Sequence, residues 1–195
     1  MKTRKNFRRF VSCLALISAM LFILGARRPV EAYGSKAWRE RVSERTVTLW
    51  VEGQPLVDGI VLNARGELNV TWLERGLNRI LNTDEDAPGW VKDNLNHYFS
   101  NRRETRAKMR NRDVFVLSYR AIKNWSFDPA KLEINGYAVT RDDILTHRVY
   151  WESELTPGSD GMVAVAAPSL KPGETVELRY EDAAVQFEVP RPRAR

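Results

Sequence analysis

Apolar and polar residues alternate strictly in Thr46–Val51 (TVTLWV), with Val47, Leu49 and Val51 on one side and Thr46, Thr48 and Trp50 on the other. A period of two is the signature of a strand with one buried face. Gly53-Gln54-Pro55 turns the chain, and the apolar run at 60–62 leads into Asn63-Ala64-Arg65-Gly66. Asn and Gly tolerate positive φ, so this short connection predicts a hairpin into ELNVTW, whose Leu68, Val70 and Trp72 share a face. The period then becomes helical. Leu73, Leu77, Ile80 and Leu81 form one stripe, and Val91, Leu95, Tyr98, Phe99, Arg102, Arg106 and Met109 form a second, entered at Asp86-Ala87-Pro88 where Asp caps and Pro fits the first turn.

From Asp113 to the end the pattern is strand-like. VFVLSYRAI, LEING, RVYW, MVAVAAP, TVELRY and AVQFEV are separated by turn residues at Asp128-Pro129, Asn135-Gly136, Pro157-Gly158, Pro172-Gly173 and Glu181-Asp182. Short strands at roughly 8–12-residue spacing predict a sandwich. In architecture this half resembles the immunoglobulin-like modules of exported proteins, and 46–82 resembles the small strand-strand-strand-helix repeats of bacterial cell-envelope proteins. The expected fold is therefore α+β. A small strand-hairpin-helix unit and two helices occupy 46–112, an antiparallel immunoglobulin-like β-sandwich occupies 113–190, and a disordered tail occupies 191–195. Residues 33–45 (YGSKAWRERVSER) are mostly polar and are expected as a mobile leader.

The N-terminus changes how the charge is read. Lys2, Arg4, Lys5, Arg8 and Arg9 precede an apolar run from Phe10 to Ala26, and Val30-Glu31-Ala32 offers small or apolar residues three and one positions before a cut. This is the three-part design of a secretory signal peptide, 1–32. The formal charge of +6 comes largely from that segment, which holds seven of the 31 basic residues and one of the 25 acids and leaves 24 of each in the mature chain. The alternative is an uncleaved N-terminal anchor with the domain outside, since 17 residues lie at the lower edge of the roughly 17–25 that span a bilayer. Both readings place the domain outside the cytoplasm, periplasmic or secreted. Cys13, the single cysteine, precedes most of the apolar run, which excludes a lipid-modified cysteine and leaves the mature chain without disulfide, thiolate metal site or cysteine nucleophile.

The most charged stretch is Ser100–Asp113 (SNRRETRAKMRNRD), with Arg102, Arg103, Arg106, Lys108, Arg110 and Arg112 against two acids. Export, neutrality and the lack of a binding module exclude nucleic acid. The stretch is expected foremost as a solvated helix end satisfied by the protein's own acids, with an acidic partner protein or anionic lipid or polymer as the alternatives. Arg102 and Arg106 continue the apolar stripe and are expected to lay their stems on the core, whereas Arg103 and Arg110 lie off it and are the candidates for any partner contact. Asn82-Thr83-Asp84-Glu85-Asp86 with Asp93 has calcium-loop spacing, but Ala87 and Pro88 replace the turn glycine and its neighbour, so a capped turn between helices is expected. Asp142, Asp143 and His147, with Glu152, are the one acid-base or metal candidate, because Asp143 and His147 share a face in a helix. A solvated turn is the competing reading. Ser159 in PGSDG is expected in a turn, and Asn69 and Asn124 fit the glycosylation pattern. No cofactor is expected. These residues predict a non-enzymatic envelope module that binds an envelope protein or anionic polymer, with an exported hydrolase using the acidic/His cluster as the alternative.

Overall fold

A computed structural model describes residues 36–55, 60–74, 89, 93, 109–151 and 153–191. The architecture is mostly antiparallel β. One helix, α1 (Lys36–Ser43), precedes twelve strands: β1 (Thr46–Val51), β2 (Gln54–Pro55), β3 (Val61–Leu62), β4 (Gly66–Leu73), β5 (Arg112–Ala121), β6 (Trp125–Ser126), β7 (Leu132–Ile134), β8 (Tyr137–Ala138), β9 (Glu154–Leu155), β10 (Asp160–Pro168), β11 (Thr175–Tyr180) and β12 (Ala183–Glu188), counted among the described residues. The first large sheet has the order β1-β4-β5-β10 and the second β12-β11-β7-β8, while β2-β3 and β6-β9 form two-stranded ribbons.

The two large sheets face one another as a β-sandwich. Leu49, Leu68, Val70, Trp72, Phe115, Leu117, Val163 and Val165 from the first meet Leu132, Ile134, Val176, Leu178, Tyr180 and Phe187 from the second in one buried cluster. Trp72 and Phe187 meet edge-on across the interface at 6.4 Å. Burying each such side chain contributes about 1.5–3 kcal/mol, and with a single cysteine in the chain no internal disulfide shares in holding the sandwich together. The period-two reading holds: Val47 pairs Val70 and Leu49 pairs Leu68 between β1 and β4, and Val176 pairs Phe187 and Leu178 pairs Val185 between β11 and β12.

The first sheet is buried on its other face as well. Trp38 of α1, Leu73, Met109, Val114, Val116, Ala164 and Ala166 form a second cluster there. Two buried faces explain why β5 and β10 read as nearly continuous apolar runs, VFVL and MVAVAA, instead of alternating. They also account for the segment expected as a mobile leader. Its residues 36–43 are helical because Trp38, 1% exposed, anchors one side of a single helical turn pattern to the sheet.

Two further expectations differ from the structure. The 60–62 run does not pair with ELNVTW; β3 pairs β2, and β4 takes β1 as its partner. Six matched positions, burying Leu49 and Val51 against Leu68 and Val70, outweigh a two-residue strand whose Leu62 is exposed. RVYW is not a strand, since Arg148–Tyr150 forms a 3-10 turn, after which Trp151 reaches the core. The boundary expected between 112 and 113 falls at the start of β5, whose sheet includes β1 and β4. Of the helical stretch, Gly89 and Asp93 are described, both helical and exposed. The remaining positions of the two predicted stripes between 75 and 108, the calcium-spaced residues 82–86, the signal segment and residues 192–195 lie outside the described residues. No described helix is long and apolar enough to cross a membrane.

Candidate functional site

The structure places Asp142 and Asp143 on one short turn and His147 at the start of the next. Asp142 is exposed, Asp143 is buried, and the 3-10 turn Arg141–Asp143 ends at Ile144, which bridges to Val165 of β10. No helix continues to bring His147 onto the face of Asp143. His147 caps the next turn, its Nδ1 accepting from the Val149 amide at 3.3 Å. Glu152 lies outside the described residues. Among the described residues no group of three or more His, Cys, Asp and Glu is arranged to hold a metal ion.

Asp143 has other partners. Its Oδ1 accepts from the Arg112 guanidinium at 2.6 Å, and its Oδ2 accepts from the Tyr137 hydroxyl at 2.7 Å and from the backbone and hydroxyl of Thr140 at 2.9 Å each. The same Arg112 nitrogen also donates to Tyr137 Oη and, at 3.0 Å, to the carbonyl of Ala166 in β10. Burial by itself raises the Asp143 pKa, but hydrogen bonds from the Thr140 amide, Tyr137, Arg112 and the Thr140 hydroxyl outweigh it and hold the carboxyl below its ordinary value. The same contact works in reverse on Tyr137, whose hydroxyl is held above its ordinary pKa chiefly by donating to Asp143, with burial adding to the effect. An ionised carboxylate with four donors is a structural clamp joining β5, β8 and β10.

The neighbouring acid is consumed in the same way. Asp113, 4% exposed, accepts from Trp72 Nε1 at 2.9 Å, from Ser169 Oγ at 3.1 Å and from the Leu170 amide at 3.2 Å. Arg112 and Asp113 therefore leave β5 on opposite faces, each fixing a different connection. Of the basic stretch, Met109 is buried beside Trp38, as its place on the stripe predicts, and Arg110 is exposed. Arg103 lies outside the described residues. Ser159 sits in a turn, its Oγ within 3.2 Å of Thr156 Oγ1. Asn69 is held by Thr48 at 2.6 Å on the strand surface, and Asn124 is exposed.

Sequence reasoning missed a feature at one end of the sandwich. The Ile122 amide donates to the carbonyl of Arg65 at 2.9 Å, and Lys123 Nζ reaches the carbonyl of Asn63 at 2.9 Å. These bonds set the 63–65 connection that follows β3 beside residues 122–123, and Ile60, Leu62 and Ile122 are 56%, 46% and 43% exposed. An Arg65–Glu52 ion pair at 2.6 Å and a bond from the Glu52 amide to Asp182 Oδ1 at 3.2 Å tie the end together. Aliphatic residues spread over β3, its approach and the connection after β5 carry no sequence signal, because exposure depends on which strands pair beneath them.

No protein-family model matches the chain, and neither a curated protein nor a solved structure matches it.

Proposed function

We propose that the protein is an exported, non-enzymatic binding or assembly module of the cell envelope, with an immunoglobulin-like sandwich as its scaffold and another envelope protein or an anionic envelope polymer as its partner. The observation that carries this reading is the loop end. Ile60, Leu62 and Ile122 are well exposed there, and exposed aliphatic residues on connections supported by a sandwich suit recognition. The use of both buried carboxylates in structural bonds supports it further, as does Arg110, which adds an exposed cation on another connection. Export follows from the proposed signal at 1–32.

A photoreactive side chain at position 122, compared with one at the exposed Val149, tests the reading in cells. A discrete adduct to one envelope component from 122 and none from 149 is expected. Equal labelling from both positions, or none from 122, overturns it.

A further inference from the structure

The first sheet has two edges, and they are treated differently. β1 lies beside β12 of the facing sheet. β10 instead carries a strap formed by residues 140–146. In the β5–β10 register the amides and carbonyls of the odd-numbered residues pair inward, as the bonds from Ala121 to Ser159 and from Ser169 to Asn111 show, so Met162, Ala164 and Ala166 present their backbone groups outward. The strap occupies these groups. Leu145 N donates to the Ala164 carbonyl at 2.8 Å, Thr146 Oγ1 accepts the Ala164 amide at 2.8 Å, and Ile144 bridges to Val165. Arg112 takes the Ala166 carbonyl. Pro168, lacking an N–H, ends the strand.

We propose that residues 140–146 are an edge guard, latched by Asp143, that keeps β10 from pairing with the β10 of a second copy of this chain. The occupant follows from the strand itself. Met162–Ala167 (MVAVAA) is a six-residue run with no charge and no proline, the composition that pairs with itself most readily when its edge is open. A second copy is the one partner certain to bring the same uncharged strand, and antiparallel pairing of β10 with β10 about Ala164 leaves the inward bonds to β5 intact. The strap holds β10 through few bonds of its own, and its position depends on the Asp143 carboxylate, which ties Thr140 at its start to Arg112 and Tyr137 outside it. Removing the charge at 143, or the acceptor at 146, therefore opens the edge while the sandwich core is untouched.

The test is sedimentation velocity over a concentration series for the unaltered protein, Asp143→Asn and Thr146→Val, paired with hydrogen exchange of the peptide spanning 160–168. Both variants are expected to self-associate at least about tenfold more tightly than the unaltered chain. Residues 160–168 should exchange faster in dilute samples and become protected again as concentration rises. Variants with unaltered circular dichroism that remain as monomeric as the parent overturn the proposal, and so does association without renewed protection of 160–168. If Asp143→Asn fails to fold, Thr146→Val decides the matter, because it removes a single hydroxyl from the strap and leaves the carboxylate cluster in place.

Discussion

At the residue scale, two acids carry much of the architecture's specificity. Asp143 and Asp113 are each 4% exposed, and a carboxylate so buried is tolerated only when donors replace water. The folded Asp143 pKa is depressed, so its contribution is present above the unfolded value and is lost as pH falls through the folded one. Asp143 is buried but its Arg112 partner is 24% exposed, so Asp143→Asn is expected to destabilise by about 1.5–3 kcal/mol near neutral pH, as loss of hydrogen bonds to a charged group does. The difference from the unaltered protein should shrink below about pH 4, where the unfolded carboxyl is protonated. Urea titrations of both proteins near neutrality and in acid check this, and a difference that stays constant into acid would show that the charge is not what the site uses. The pairing of Thr140 with Asp143 is visible in the sequence as a cap three residues apart. Its other partners are not, because Arg112 lies 31 residues upstream and meets Asp143 only through the path of the sheets.

At the element scale, what was legible followed from period and turn chemistry. β1, β11 and β12 alternate because one face of each is the more deeply buried, and Asn135-Gly136 turns β7 into β8 with φ of 50° and 78°, as those residue types allow. Illegible elements depended on distant partners. The helix over 36–43 has too few apolar residues to announce itself, and its order rests on Trp38 entering a layer built by Val114, Val116 and Ala164. Trp38→Ala is therefore expected to cost about 3–5 kcal/mol by chemical denaturation, as large buried aromatics do, whereas a loose leader would lose almost nothing. Gly66, at the start of β4, is fixed by packing: a Cβ there would lie 2.5 Å from the Trp125 ring. The conformation between Asp143 and His147 was illegible for a similar reason. Asp143 and His147 have helical spacing, but an apolar Ile144 between them is drawn to the edge of β10 and breaks the turn.

At the scale of the whole molecule, strands from both halves of the sequence share one sheet, so the scaffold that presents the Ile60–Leu62–Ile122 end does not form from either half alone. Its proposed role as an envelope module depends on the chain reaching the envelope. The basic N-terminus, the apolar run from Phe10 to Ala26 and the Val30-Glu31-Ala32 site together predict cleavage after Ala32. Cleavage also removes the charge excess that would otherwise favour nucleic acid. Intact-mass analysis of the protein recovered from fractionated source cells tests this most directly. The account predicts a chain beginning at Tyr33 in the extracytoplasmic fraction. A chain retaining Met1–Ala32 in the soluble cytosol would contradict it.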